Sequence, residues 1–535
     1  MGCFIGRLCA GNFQLSIVKN NKNQGGCKNM SYQETYKKWC TDPYFDAQTQ
    51  EELKNLEGNE KEIEDCFYRQ LEFAREATLC LNANGIHTYL FESLRPTPEL
   101  SFAVRELGCI AGIVITASHN PREYNGYKVY WEDGAQITPP HDKNILAEVA
   151  KVTDFSMVKT MEEDEARAEN LFSIIGTDFD DKYIAQLKKQ SIHPEAAKDM
   201  KIVYTPLHGT GNIPVRRVLR ELGFTQVYVV EEQKVPDGNF PTVPYPNPED
   251  KNAWTLALEL AKKVDADIIL ATDPDADRLG VHAKDTKTGE YVSFTGNMSG
   301  MLIAEYILRE RTKTGTMPEN PALVETIVTT DMAKAVAKEY NTALIEVLTG
   351  FKYIGEQIRL FDETGSHHYV FGLEESYGCL AGTYARDKDA PVAVMMLCEV
   401  AAYYKLQGKT LWDAMVELYE KYGYYKEDLA TVTLKGIDGS QKITAMMNAF
   451  RENPPKELGG FKVLACRDYK SDCRRDMITG ETTSNVLYYE LENNAWCCVR
   501  PSGTEPKIKY YFGVKGENFK DAEEKLEALK KAMTE

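Results

Sequence analysis

The sequence predicts an α/β protein with parallel sheets, divided into several domains. Short β-rich runs, Gly112-Ile113-Val114-Ile115, Ile202-Val203-Tyr204, Val227-Tyr228-Val229-Val230 and Ile268-Ile269-Leu270, alternate with helical stretches that include Glu106 and Leu258 to Val264. At 535 residues the chain exceeds one ordinary core, and a domain size of about 150 residues implies three or four units. Its 43% apolar and 27% charged content suits large buried cores and excludes extensive disorder.

Sixty-three basic residues against 81 acidic ones give a net charge of −18. That balance disfavours non-specific attraction to nucleic acid or an anionic membrane, so any bound phosphate must be held by local groups. The 13 cysteines are an odd set without a C-x-x-C or paired zinc spacing, which points to reduced thiols in a cytoplasm. No apolar run approaches the roughly 18 residues of a membrane span. Met1-Gly2-Cys3 resembles a lipidation start, but Gly6 stands where that signal has Ser or Thr.

Along the chain, residues 1–29 carry Arg7, Lys19, Lys22 and Lys28 and no acid, so this segment is +4 and the remainder −22. It reads as an unstructured leader, after which Met30 opens a charged helical stretch. Further on, Ala322 to Val328 is a strand, Asp331 to Tyr340 a helix and Ala343 to Val347 a strand. The last hundred residues are more antiparallel in pattern, with alternation at Leu487 to Leu491 and Lys507 to Gly513, then an amphipathic helix from Phe519 to Met533. No sequence period marks a solenoid, although similar α/β units can diverge beyond recognition.

Four segments carry chemistry. Asp273-Pro274-Asp275-Ala276-Asp277-Arg278 follows a strand, and carboxylates at alternate positions can converge on one hard divalent cation, for which Mg²⁺ is the best fit. A calcium-binding EF-hand is excluded because Arg278 and Lys284 stand where Gly and Glu are needed. A solvated acidic turn is the plain alternative. Thr116-Ala117-Ser118-His119-Asn120-Pro121 also follows a strand and can present a hydroxyl to a cleft, or merely cap a helix. Arg500-Pro501-Ser502-Gly503-Thr504-Glu505-Pro506 offers a guanidinium, two hydroxyls and a glycine to an anion, against an ordinary turn. Gly372-Leu373-Glu374-Glu375-Ser376-Tyr377-Gly378 can grip sugar hydroxyls, and Lys388 in Arg386-Asp387-Lys388-Asp389 can relay a proton if its pKa is lowered; a surface charge run is the alternative.

Taken in chain order, the four segments resemble the α-D-phosphohexomutase superfamily of phosphoglucomutases and phosphomannomutases. The likeness is closest to its phosphoglucomutase 2/phosphopentomutase branch, through the continuation Arg122-Glu123-Tyr124-Asn125-Gly126-Tyr127-Lys128-Val129-Tyr130. Tyr204-Thr205-Pro206-Leu207-His208-Gly209-Thr210-Gly211 and Leu348-Thr349-Gly350-Phe351-Lys352-Tyr353-Ile354-Gly355 support it. The resemblance implies four domains around a central cleft, three related mixed-sheet α/β units and a C-terminal α+β unit. They divide as 30–195, 196–318, 319–428 and 429–535.

The resemblance also implies roles. Ser118 carries the phosphoryl group, and Asp273, Asp275 and Asp277 hold Mg²⁺ together with it. Glu374 and Ser376 bind the sugar, while Arg500, Ser502, Gly503 and Thr504 bind the phosphate that does not react. Lys388 is the general acid/base, His119 is a further catalytic residue beside Ser118, and Arg278 and Lys352 bind the substrate; these three line the cleft. The implied reaction converts glucose 1-phosphate to glucose 6-phosphate through a bisphosphorylated sugar, with glucose 1,6-bisphosphate as activator; mannose and pentose phosphates are the alternative substrates. The expected protein is a cytoplasmic monomer or homodimer with a phosphosugar as its small-molecule partner and no nucleic acid or membrane partner.

One departure stands out. Family members carry a Phe-Gly-Thr…Gly-Leu-Arg-Gly segment after the first charged helix, whereas here Arg69-Gln70-Leu71-Glu72-Phe73-Ala74-Arg75 runs straight on. About one βαβ unit of the first domain, roughly 30 residues, is missing, and with it an arginine that contacts phosphate. The expectation is low activity. Two rivals to the mutase follow: a serine phosphatase, and an impaired, non-catalytic phosphosugar-binding protein.

Overall fold

Among the described residues, four sheets of four to six strands organise the chain, and each has one of the four chemical segments at or entering a connection between antiparallel neighbours. The computed structural model describes residues 2–7, 70–196, 199–434, 437–471, 474–476, 480–502 and 507–534. In the first sheet, β1 (Gly2–Arg7), β2 (His87–Phe91), β3 (Ala111–Ile115), β4 (Tyr127–Trp131) and β5 (Phe172–Ile175) stand in the order β4-β3-β1-β2-β5. The second contains β6 (Lys201–Thr205), β7 (Gln226–Val229), β8 (Ile268–Thr272), β9 (Leu279–Lys284) and β10 (Tyr291–Phe294), ordered β10-β9-β8-β6-β7. The third, ordered β12-β11-β13-β14, is made of β11 (Pro321–Thr326), β12 (Ala343–Val347), β13 (His368–Glu374) and β14 (Gly378–Ala381).

These sheets are mixed where the sequence pattern predicts parallel ones. Parallel pairs such as β6/β8 and β11/β13 form as expected. In each sheet, however, an inner strand turns back on itself, giving the antiparallel pairs β3/β4, β8/β9 and β13/β14. A short loop can join antiparallel neighbours, whereas a parallel return needs a crossover. Ser118, Asp273 to Arg278, and Glu375 to Tyr377 lie in these three equivalent connections. The three units thus repeat structurally although their sequences show no period.

The leader expected over 1–29 departs from the structure at its start. Gly2–Arg7 forms β1, antiparallel to β2 with Arg7 opposite His87, and antiparallel to β3 with Gly2 opposite Ile115. The physical reason is backbone saturation: without β1, the facing edges of β2 and β3 would leave rows of N–H and C=O groups unpaired inside a sheet. The helix Gln70–Asn82 runs through Phe73-Ala74-Arg75 towards β2, so the first domain remains incomplete, with β1 in its inner position. The rest of the leader and the charged stretch after Met30 lie outside the described residues.

The fourth domain is an antiparallel sheet ordered β15-β22-β21-β20-β17-β16. Its strands are β15 (Tyr424–Thr433), β16 (Glu457–Leu458), β17 (Phe461–Asp468), β20 (Leu487–Leu491), β21 (Trp496–Pro501) and β22 (Lys507–Gly516); β18 (Arg474–Asp476) and β19 (Gly480–Thr482) form a separate pair. The helix Phe519–Thr534 packs on β22 and β15. This unit has its own core, including Leu487, Tyr489, Phe512 and Leu526. Domains one to three share a larger core, which the helix Ala390–Lys405 crosses with nearly every residue buried. A helix apolar all round belongs in such an interior. Among the described residues, no helix is long and apolar enough to cross a membrane.

Candidate active site

The loop that carries Ser118 leaves β3 at Ile115 and twists sharply. Ser118 has φ +53°, a left-handed value uncommon for a residue with a side chain, and its N–H donates to Thr116 Oγ1 over 2.7 Å. Gly126 closes the loop behind it: a Cβ there would lie 2.3 Å from the Thr116 carbonyl oxygen. The Ser118 hydroxyl is thereby held 3.0 Å from His119 Nδ1 and 3.3 Å from Asp273 Oδ2. Burial, followed by the charge of Arg278, lowers the His119 pKa to about 3, so its ring is neutral near pH 7.

Asp273, Asp275 and Asp277 are fully buried at the carboxyl end of β8, and one ligand atom from each lies within 4.8 Å of the others. Asp273 Oδ1 accepts from the N–H groups of Asp277 and Arg278 at 3.1 and 3.0 Å. The segment Tyr204 to Gly211 supports the loop from behind. Thr210 donates through its N–H and hydroxyl to the Pro274 carbonyl at 2.8 and 3.0 Å, and a Cβ on Gly209 would lie 2.4 Å from Pro274 Cα.

Burial raises the Asp273 carboxyl well above the usual carboxylate range, and repulsion from Asp275 and Asp277 adds to it. Burial pushes Asp277 in the same direction, but Lys388, Lys128 and Arg278 outweigh it and hold its carboxyl low. Asp275 Oδ1 and Asp277 Oδ1 are buried without hydrogen-bond partners. Three converging carboxylates with orphaned oxygens are an all-oxygen donor set, which fits a hard divalent cation.

A cavity of about 750 Å³ joins all four domains, and Ser118, His119, Asp277, Arg278, Lys352, Glu374, Ser376, Lys388 and Arg500 all line it. Asp273 and Asp275 lie outside this lining, in the buried triad beside it. Arg278 binds Glu249 at 2.8 Å. Burial lowers the Lys352 pKa. Ser376 donates to Glu374 over 2.8 Å. Arg500 sits on β21 opposite Lys509 on β22. Ser502 N–H donates to the Lys507 carbonyl at 2.8 Å, while Gly503 and Thr504 lie outside the described residues.

Lys388 differs from the proton relay with a lowered pKa that the sequence suggests. Burial pulls its pKa down, but Asp277, Asp387 and Glu374 outweigh that and raise it well above the usual lysine value. Its Nζ lies 3.2 Å from Asp277, 3.4 Å from Asp387 and 3.8 Å from Glu374. The amine is therefore protonated in the free site.

Sequence reasoning misses Lys128. On β4 it reaches Asp275 at 3.0 Å and Asp277 at 3.3 Å. It belongs to the Tyr124 to Tyr130 stretch, whose alternation is the available signal. The sequence pairs Glu375 with Glu374 on the sugar-gripping loop but gives it no role of its own; burial and the adjacent Glu374 push its carboxyl up to about 7 within the cavity wall.

Known proteins match this arrangement in sequence and fold. Residues 65–155, 181–287 and 295–422 match the phosphoglucomutase/phosphomannomutase alpha/beta/alpha domains I, II and III in turn. The phosphoglucomutase of Staphylococcus aureus strain bovine RF122 / ET3-1 is 38% identical over 472 residues, covering 87% of this chain and 83% of the relative. That of strain USA300 is 37% identical over the same length and shares. A phosphomannomutase-like protein from Thermus thermophilus has the same fold at TM-score 0.63 and 22% identity, covering 86% of each chain. Parafusin, a phosphoglucomutase of Paramecium in its open form, follows at TM-score 0.61 and 18% identity, covering 82% of this chain and 79% of that one. With successive family domains and a relative of that identity, the chain belongs to the phosphoglucomutase/phosphomannomutase family of the α-D-phosphohexomutase superfamily and is an isomerase, a phosphosugar mutase.

Proposed function

We propose that the protein interconverts glucose 1-phosphate and glucose 6-phosphate by carrying the phosphoryl group on Ser118. The observation that supports this most is the Ser118 hydroxyl 3.3 Å from a buried aspartate triad, in a cleft also lined by Lys388 and Arg500. Asp273, Asp275 and Asp277 would hold Mg²⁺ with the Ser118 phosphate. Bound there, Mg²⁺ supplies Lewis-acid neutralisation of the phosphoryl charge. Arg500 and Ser502, with Gly503 and Thr504, hold the phosphate that does not react; Glu374 and Ser376 take sugar hydroxyls and so fix the attack angle. His119, Arg278 and Lys352 shape the remaining wall.

In the first half-reaction the free sugar hydroxyl takes the phosphoryl group from Ser118, forming a bisphosphorylated sugar. As the sugar O–P bond forms and the Ser118 Oγ–P bond breaks, the proton of the sugar hydroxyl ends on Ser118 Oγ, with Lys388, an ammonium in the free site, as the general acid/base at the sugar oxygen. The reversed sugar then returns its other phosphate to Ser118, and the proton moves back to the sugar oxygen. Glucose 1,6-bisphosphate can phosphorylate a bare Ser118 directly, which makes it the activator. The net charge of −18 and the free cysteines among the described residues suit a cytoplasmic monomer or homodimer without nucleic acid or membrane partners.

The deciding assay supplies glucose 1-phosphate, trace glucose 1,6-bisphosphate and Mg²⁺. Appearance of glucose 6-phosphate supports the mutase; release of inorganic phosphate alone identifies a phosphatase; neither outcome identifies the impaired binding protein. Mannose and pentose 1-phosphates in the same assay rank the sugars. A chelator should stop turnover, and restored Mg²⁺ should both recover it and raise Tm by mass action. Unchanged Tm and activity after chelation would remove the metal from the account. Inserting the family's Phe-Gly-Thr…Gly-Leu-Arg-Gly unit before Gln70 should raise kcat; equal kcat with and without it would show that β1 compensates fully.

A further inference from the structure

Strand β4 touches the reaction centre twice. Side chains two residues apart share a strand face, so Lys128, which lines the cleft, and Tyr130, which is buried beside it, leave β4 on the same side. Lys128 meets Asp275 and Asp277, whereas Tyr130, fully buried, donates its hydroxyl to Asp387 Oδ2 at 2.6 Å. The other Asp387 oxygen accepts the Lys388 N–H at 2.8 Å and lies 3.4 Å from Lys388 Nζ. Asp387 is itself buried, with both oxygens engaged.

We propose that Tyr130, through Asp387, is the positioning residue for the Lys388 ammonium, so that the nucleophile domain sets the reach of a lysine belonging to the third domain. The proposal rests on Lys388 being the proton-exchanging group. Three carboxylates compete for Nζ, with Asp277 and Asp387 almost equally near at 3.2 and 3.4 Å. The hydroxyl of Tyr130 satisfies one oxygen of Asp387 and fixes the plane of its carboxylate. Without it, a buried oxygen lacks a donor, and Lys388 is the nearest cation that can supply one. The ammonium then turns from the sugar-facing Glu374 and Asp277 side towards Asp387.

The lysine stem has one channel. Gly378 leaves the space it occupies, since a Cβ there would lie 2.0 Å from Lys388 Cδ. The Phe351 ring flanks the ammonium, with its centroid 5.8 Å from Nζ. With the stem confined, the position of Nζ is decided at its tip, by how Asp387 is held.

Tyr130→Phe keeps the ring and removes only the donor. Its kcat should fall about tenfold to a hundredfold with KM within about twofold of the parent, as expected for losing a hydrogen bond to a charged group that matters only in the transition state. The discriminating readout is the double-mutant cycle with Lys388→Ala. If Tyr130 acts through Lys388, Tyr130→Phe costs nothing further in the Lys388→Ala background. A full additional loss there, or a parental kcat for Tyr130→Phe alone, overturns the proposal while leaving Lys388 its role. A parental kcat for Lys388→Ala overturns the reading of Lys388 itself. Melting temperatures of all four proteins show whether each variant is folded. If Tyr130→Phe does not fold, Asp387→Asn is the second variant, and it should lower kcat in the parent and cost nothing further in the Lys388→Ala background, whereas a parental kcat or a full additional loss overturns the proposal.

Discussion

Ser118→Ala should abolish mutase activity, lowering kcat on the order of 10⁴-fold or more while sugar phosphate still binds. The neighbouring hydroxyl, Thr116 Oγ1, is already engaged: it accepts the Ser118 N–H and donates to Asp275 at 3.4 Å. Alanine preserves the loop because, among the described residues, the hydroxyl bonds to His119 and Asp273 and to no backbone group of the loop. The left-handed backbone at φ +53° is equally strained for both residues, so Tm should stay within a few degrees of the parent. Isothermal titration with glucose 6-phosphate separates this outcome from unfolding. Retained turnover would transfer the phosphoryl role away from Ser118.

Asp273→Asn should lower kcat about a thousandfold, and in metal-free protein it should leave Tm equal to or above that of the parent. The two effects have one origin. The triad concentrates negative charge in a dry site, and burial and its neighbours raise the Asp273 carboxyl well above normal. An acid whose folded pKa is raised stabilises the fold at low pH and loses that contribution as pH rises through the folded value. The metal-free parent should therefore lose stability as pH rises through that value, and the amide should flatten this dependence. Added Mg²⁺ should raise the parent's Tm and barely move that of the variant. A variant that melts well below the parent without metal would show instead that Asp273 has a structural role.

Much of this site is legible because its chemistry is local in the chain. Asp273, Asp275 and Asp277 fall in one hairpin loop, so their spacing alone conveys a converging donor set, whereas Ser118, three residues beyond a strand, is by its own pattern a turn hydroxyl and takes its role from the family resemblance. The same holds for Arg500, whose hairpin joins two alternating strands. What escapes the sequence is set by contacts between distant residues. Lys128 faces acids almost 150 positions away, and Tyr130 faces Asp387 across two domains. The direction of the Lys388 pKa depends on Asp277 and Glu374, which only the folded cleft brings within 4 Å. β1 shows the same limit for the fold: Gly2–Arg7 has a weak local signal, and its pairing with β2 and β3 makes it a strand.

The mutase account makes Ser118 both donor and acceptor of phosphate within one catalytic cycle. Intact-mass spectrometry of the purified protein tests this directly. After incubation with glucose 1,6-bisphosphate and removal of sugar, the account predicts one added phosphoryl group, mapped to Ser118, that leaves on addition of glucose 1-phosphate as the bisphosphorylated sugar and is absent in Ser118→Ala. A protein that converts glucose 1-phosphate to glucose 6-phosphate without ever carrying that group, or carries it at another residue, would contradict the account.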